Sequence, residues 1–538
     1  MKKKFLTLIF SIFAFIPCLL FAGCTTSQDP SNSDNTTPAN TIDVMFSEDG
    51  KTLHRFSPDN DETEYTVPEG VKYIADSAFA NCENLTKVIF PSTLITVGNN
   101  AFYKCFNLST AEINSDISVG SHAFYYCNLL NIDTSKIMLY GERSFYYGGR
   151  LNNITIAKEV NTLPKEVFSG FIAQTVIFEE TTNLKFIKEK AFCFSTISSI
   201  NIPSSCEFIG EKAFAYTALT SVYIGKNITT IQGEAFTSCE NLTTVEFETG
   251  RSDRLNFLES NCKGIFSHCT NLTTVTNYPY ENINENCFSF CSNLNSFTFD
   301  TLSNSKYLEI SSYAFKSCHS LKSFTITPYT NVLAFAFDSC YNLNTLILLN
   351  NFESNENAFS DCYNLFEIYN FSNTVLTIGE GIAEYAKDIY TSPSSQSKIK
   401  TINNVIYYDN GTDFIAIGIG NRNVTSIEFD TNTTEINKYA FYECNMLTSV
   451  ILHENVKNIN FNAFSGVYIN ISTVTINSAD IANTFTQRSS NGKLLYDATT
   501  VYIQTGLSVA NSTYLLENFT KQTSSDKFGH DKYVRNAQ

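Results

Sequence analysis

One phrase of thirteen residues recurs through the chain: AFANCENLTKVIF from Ala78, AFYKCFNLSTAEI from Ala101, AFTSCENLTTVEF from Ala235, AFDSCYNLNTLIL from Ala336, AFSDCYNLFEIYN from Ala358 and AFYECNMLTSVIL from Ala440. Its phenylalanine falls at Phe79, Phe102, Phe124, Phe145, Phe168, Phe192, Phe214, Phe236, Phe266, Phe288, Phe315, Phe337, Phe359, Phe441 and Phe464. Successive markers lie mostly 21 to 24 residues apart, with gaps of 30 and 27 and one of 82 between Phe359 and Phe441. A unit this short cannot bury its own apolar face, so units must stack, each coil on the last. The chain has 538 residues, which would otherwise suggest several globular domains. A stacked array grows by addition instead, and the expectation is a β-rich solenoid with short strands, right-handed and elongated or curved.

The stretch from Leu219 to Phe247 shows what one coil contains. It offers a strand at Val222 to Ile224, a turn at Gly225-Lys226-Asn227, an apolar pair Ile228 and Ile231, then Ala235-Phe236 at an inward bend and a second strand spaced by Leu242, Val245 and Phe247. Stacking sets like side chain on like along the array. The predicted core therefore includes Phe79, Phe102, Phe124, Phe214, Phe236, Phe288, Phe337, Phe359, Phe441 and Phe464, with Leu85, Leu108, Leu242 and Leu343 and Cys82, Cys105, Cys239, Cys340 and Cys362. Burial of each large side chain contributes about 1.5–3 kcal/mol. Thr237, Glu240, Thr243 and Glu246 are left to face outward and vary. Asn84, Asn107, Asn128, Asn241, Asn271, Asn293, Asn342 and Asn364 precede the strand leucine, where a side-chain amide bonds local backbone and favours a tight turn. Tyrosines such as Tyr103, Tyr125, Tyr126, Tyr146, Tyr147, Tyr363 and Tyr442 fall beside the marker. They serve either as edge packing or as contact groups of low entropic cost.

Two further patterns divide the chain. VMFSEDGKTLHRF at Val44 to Phe56 and VIYYDNGTDFIAI at Val405 to Ile417 each flank a Gly-containing turn with apolar runs, a hairpin signal; LLYDATTVYI at Leu494 to Ile503 is a weaker copy. Phe46 precedes Phe79 and Tyr408 precedes Phe441 by 33 residues each, so the long gap reads as a second array restarted by its own hairpin. At the N-terminus, Lys2 to Lys4 followed by an apolar run to Phe21 reads as a secretion signal, with an uncleaved anchor as the alternative. The ending FAGC resembles the lipobox of bacterial lipoproteins, with Phe21 where leucine is usual, and that resemblance implies lipidation of Cys24. The next residues, rich in Ser, Thr, Asn and Pro, have too little apolar area to fold. The expected organisation is a signal peptide over 1–23, a lipidated cysteine and tether over 24–40, and a first array with a hairpin cap over 41–370. A connector over 371–400, a hairpin module and short second array over 401–473, a cap over 474–520 and a fraying polar tail over 521–538 complete it. The expected location is the bacterial cell envelope or surface, lipid-anchored through Cys24.

The chemistry-bearing residues point away from catalysis. A formal charge of −17 disfavours nucleic acid as a partner. Ten of the sixteen cysteines lie three residues after a marker phenylalanine, so their thiols form one inner row, where buried free thiols pack better than parallel side chains can cross-link. They also lack the paired spacing of a zinc site. His268 and His319 flank repeat cysteines but should project away from them. Asp409, Asn410, Gly411 and Asp413 lack the spacing and terminal Glu of a calcium loop. No phosphate-binding glycine loop or nucleophile elbow is present. No cofactor is expected.

The phrase AF..C.NLT.V.I at its spacing of 22 to 23 resembles the leucine-rich repeats of BspA-like surface proteins, also known from treponemal leucine-rich proteins, over about Asp61 to Asn370 and Ser426 to Thr473. The resemblance implies a curved solenoid of leucine-rich repeats on the cell surface, without enzymatic activity, adhering to host matrix or microbial surface proteins. The alternatives are a structural spacer of the envelope and, further off, a carbohydrate-related enzyme or accessory protein. Gly148 and Phe171 stand where the repeat cysteine would fall, and one long turn carries Arg251 to Lys263. Those departures mark an insertion or a kink.

Overall fold

A computed structural model describes residues 44–250, 262–279, 282–300, 307–460, 462–465, 471–482, 498–526 and 528–536. The stretches expected as a signal peptide and a tether, and Cys24 between them, lie outside the described residues. Residues 43–538 form one compact unit, a mostly parallel β-solenoid with few helices.

Each coil has three sides. The first is a strand of three or four residues after the repeat leucine, as in Lys87–Ile89 and Thr110–Glu112, whose alternate residue faces inward. The second is a strand of two or three residues before the marker, as in Tyr73–Ile74 and Thr96–Val97. Both join parallel sheets with their counterparts one coil away. The third side is the Ala-Phe corner, and its backbone alternates in handedness. Residues two before and two after the phenylalanine have positive φ, as at Ser77 (60°) and Asn81 (61°), Asn100 (53°) and Lys104 (57°), and Lys212 (53°) and Tyr216 (60°). Such a conformation costs a non-glycine residue roughly 1–2 kcal/mol. The offset is a ladder between corners: the amides of Ser77, Phe79 and Asn81 donate to the carbonyls of Asn99, Ala101 and Tyr103 at 2.7–2.8 Å.

Inside, the marker rings stack face to face. Centroids of Phe79 and Phe102 are 4.7 Å apart, Phe102 and Phe124 5.1 Å, Phe214 and Phe236 5.1 Å, and Phe337 and Phe359 4.9 Å. One core runs from Leu53 to Ala386 and a second from Val405 to Tyr533. At Gly148 and Phe171 the core continues, but both ladders are interrupted: one ends at Tyr140 and its successor begins at Thr162, the other ends at Ile132 and resumes at Asn153. Isolated bridges from Leu129 to Gly149 and from Arg150 to Ile172 span the gap.

Several expectations change. Phe464 is only half-buried: it stacks on Phe441 at 5.1 Å, and among the described residues no further marker ring covers its other face. Thr237 is buried rather than outward, because its hydroxyl donates to the Ser267 carbonyl at 3.0 Å. The stretch taken as a connector adds a further coil, since Asp388–Tyr390 pairs in parallel with Glu367–Asn370. Ile382, Ala383 and Ala386 fill its interior in place of the Ala-Phe-Cys phrase. The tail does not fray. Phe519–Ser525 and His530–Arg535 form an antiparallel pair, and the latter lies on Thr500–Gln504, so Tyr533 and Phe519 close the end of the core. Of the weak third hairpin, residues 494–497 lie outside the described residues.

Candidate functional site

The predicted core residues other than Phe464 are all buried, and all fourteen described cysteines are unpaired. Nine of the ten thiols of the inner row, all but that of Cys444, do more than fill space. The Sγ–H of Cys105, Cys127, Cys239, Cys269, Cys291, Cys318, Cys340 and Cys362 donates to the carbonyl of the previous coil's marker phenylalanine at 2.9–3.2 Å; Cys82 approaches Phe56 more loosely at 3.8 Å. Burial pushes the thiols of Cys127, Cys291 and Cys444 up, the last to about 11, which keeps them protonated donors rather than nucleophiles.

The asparagines also reach between coils rather than locally. Nδ2 of Asn84, Asn107, Asn271, Asn342 and Asn364 donates to carbonyls of the preceding coil, at 3.2, 2.8, 2.6, 2.7 and 2.7 Å. Beside them runs a hydroxyl row: Thr243 donates to the carbonyl of Thr220, and Thr273 to that of Thr243, each at 3.0 Å. Sequence reading missed both rows as rows, although the recurring N-L-T triplet was their signal.

These rows end in a cleft where the second array meets the first. The strand Phe414–Ile419 and the loop through Asn423 stand against the rows, enclosing about 590 Å³ lined by Asn241, Thr243, Asn271, Asn293 and Lys322 on one side and Gly420, Asn421 and Arg422 on the other. The docking is specific. Ile406, Tyr408 and Ile417 of the second hairpin bury against Phe366 of the first array. Lys322 Nζ donates to the Gly420 carbonyl at 2.8 Å, and Asn437 Nδ2 to Asn364 Oδ1 at 2.9 Å. Tyr341 stacks on Tyr439 at 4.3 Å, and Lys438 Nζ sits 3.6 Å above the Tyr363 ring.

A charged cluster runs from Arg422 in the cleft wall into the junction. Arg422 donates to the carbonyls of Ser292 and Tyr442 at 3.0 and 2.8 Å and to Glu443 Oε2 at 3.1 Å; His319 Nδ1 is also 3.1 Å from that oxygen. Burial alone raises the Glu443 carboxyl, but the His319 hydrogen bond and the Arg422 charge outweigh it and hold its pKa below the usual value. Burial wins at His319, whose pKa is lowered in spite of Glu443. A neutral imidazole donating from Nδ1 to a carboxylate follows. The cluster joins the arrays through both terminal nitrogens of Arg422, whose buried Nε has no hydrogen-bond partner, and it presents no nucleophile to the cleft.

Outward from the corners, aromatic rings form ladders of their own. Tyr103, Tyr125 and Tyr146 stack at 5.1 and 4.9 Å, and Tyr126 on Tyr147 at 5.5 Å. Tyr363 and Tyr442 belong to the junction instead. His268 is exposed and stacks on Phe290. Among the described residues no group of His, Cys, Asp and Glu is arranged to hold a metal ion, and no helix is long and apolar enough to cross a membrane.

A family model for the BspA type leucine rich repeat region matches residues 55–172, 140–262, 209–327, 281–412 and 419–529 in overlapping copies. The chain belongs to that family. No curated protein matches this BspA-type chain. Solved structures similar to it include a leucine-rich repeat protein from Bacteroides ovatus, 19% identical over 61% of this chain and 92% of that one, with a TM-score of 0.43. A leucine rich cell surface protein from Faecalibacterium prausnitzii is 20% identical over 65% of this chain and 97% of that one, with a TM-score of 0.34. The Treponema pallidum leucine rich repeat protein is 19% identical over 48% and 90%, with a TM-score of 0.17.

Proposed function

We propose that this BspA-type chain is a non-catalytic binding module of a bacterial cell envelope, exported, held by a lipid on Cys24 and adhering to proteins of a host matrix or of other microbes. The observation that carries the reading is the cleft between the arrays. Amide and hydroxyl rows, one coil apart and tied into the backbone ladder, present a rigid polar surface, and a preorganised surface loses little entropy on binding. A free nucleophile or paired acid would favour chemistry, and the Glu443 carboxylate beside the cleft is instead held by Arg422 and His319.

Capture by immobilised residues 43–538 is the direct test. Binding to matrix proteins or intact bacteria at micromolar concentration, lost in Asn293→Arg, supports the module; equal binding by an unrelated solenoid of the same length would favour the spacer reading. Palmitate labelling compared with Cys24→Ala tests the anchor, and equal labelling of the two would remove it.

A further inference from the structure

The position two residues after the marker phenylalanine has positive φ in every coil from Phe79 to Phe359, and in the middle of the first array it carries a broken row of exposed aromatic rings. Phe194 stacks on Tyr216 at 4.5 Å, and His268 stacks on Phe290 at 4.6 Å. The rung between the two pairs is Ser238. Two rungs of coil separate Tyr216 from His268, roughly 10 Å at the usual strand spacing. The neighbouring row, two residues before the marker, loses a side chain one coil further on: Lys212 and Glu234 are followed by Gly264, at φ +63°, in the coil of His268, and then by Asn286. Two absences in adjacent rows leave a hollow of about 470 Å³ that Tyr216, His268 and Phe290 line together with Ser238, Glu234 and Asn286.

We infer that this hollow binds a single pyranose ring of a glycan, sandwiched where the aromatic rung is missing. A ring placed midway meets two aromatic faces at about 5 Å centroid separation, the ordinary stacking distance. The lining combines these aromatic faces with polar side chains. Glu234, steadied by Lys212 at 3.3 Å, Asn286 and Ser238 supply the polar part of the lining. An inserted aromatic side chain would cover those polar groups without hydrogen bonds, which costs free energy. A sugar presents C–H faces to the rings and hydroxyls at its edge to the carboxylate, amide and serine. The gap at Gly170 shows the contrast: there the neighbouring Tyr147 ring lies where a side chain on Gly170 would stand, 2.5 Å from the Cβ position, so that rung is already filled. The inference is independent of the cleft between the arrays and of any lipid anchor.

Saturation-transfer NMR with the methyl pyranosides of glucose, galactose and N-acetylglucosamine tests it on the full chain. Transfer to ring C–H protons is expected for at least one sugar, with affinity in the millimolar range typical of one ring. Ser238→Phe restores the missing rung on a backbone conformation (φ 55°) that Phe194 and Phe290 already adopt at 59° and 61°, so it should fold and abolish the transfer. Tyr216→Ala removes one wall without adding bulk and should weaken binding about tenfold or more. Ser339→Phe, in the same row but four coils from Ser238, serves as the control and should leave binding intact. No transfer from any of the sugars, transfer unchanged in Ser238→Phe and Tyr216→Ala, or preference for an aromatic peptide over every sugar would each overturn the inference.

Discussion

The two hairpins that begin the two arrays share a turn and a 33-residue offset to their first marker, yet they meet different surroundings. In the first, Val44–Phe46 pairs with Thr52–Phe56 around Gly50; Leu53 and Phe56 face the core, while Met45, His54 and Arg55 face solvent. In the second, Val405, Tyr407 and Ala416 face their own core, and Ile406, Tyr408 and Ile417 are buried on the opposite face against Phe366. One hairpin is a cap and the other is a coupling, and the outer face decides which. The corner position two after the marker carries the same lesson. Lys104 and Glu443 share a left-handed conformation (φ 57° and 54°), but Glu443 is drawn into the cluster with His319 and Arg422.

The sharpest way to break this contrast is to shorten the outer face of each hairpin. Ile417→Ala should destabilise by about 2–5 kcal/mol and split urea unfolding into two transitions, because the remaining apolar contact between the arrays is the set of tyrosine rings at the junction. Met45→Ala should change stability by no more than about 0.5 kcal/mol. A single unchanged transition for Ile417→Ala would mean the arrays are coupled without that face. A smaller effect is expected from Glu443→Gln. It keeps the shape and an oxygen that still accepts both hydrogen bonds but loses the charge that strengthens them, so it should cost about 1–2 kcal/mol, whereas Lys104→Gln at the matching corner should be neutral by the same denaturant titration.

The period, the inward residues and both main hairpins were legible because spacing reports which residues are repeated, and repetition in a stack is burial. Where function enters, spacing reported less. The left-handed corner positions hold Tyr126, Phe194, Tyr216 and Phe290, residues that carry no mark of positive φ. Only the ladder between coils, which exists after stacking, holds them there. The extra coil after Phe359 was hidden because Ile382 and Ala386 fill the interior without the marker. The polar closing strand His530–Arg535 was hidden because one buried tyrosine gives no alternation to read. The cleft joins Asn271 to Arg422, 151 residues away, and no local pattern announces that.

Acid should separate the two arrays before it unfolds either. His319 is buried with a pKa below 6.5 and Glu443 has one below 4.5. For both groups the unfolded chain binds the proton more readily, so stability contributed at the junction is complete above about pH 6.5 and falls as pH drops through the two native values. Small-angle scattering between pH 7 and pH 4 should record the loss in the wild type, and His319→Gln should remove the upper part of it. A junction insensitive to pH over that range would show that Arg422 alone holds the carboxylate.

The smallest effect lies inside the stack, where the arrays should differ least. Replacing the thiol of Cys340 by Ala deletes one Sγ–H donor to the Phe315 carbonyl at 3.1 Å and should cost about 1 kcal/mol, since that carbonyl keeps the backbone bond from the Cys318 amide. Cys444 begins its row in the second array, and its Ala variant should cost no more. Native thiol titration at pH 8 offers an independent reading: the described cysteines should react only as fast as the chain opens, because all of them are buried away from the reagent. If Cys444 reacted much faster than Cys340, the short array would be opening on its own, and the Phe366 contact would be a hinge rather than a clamp.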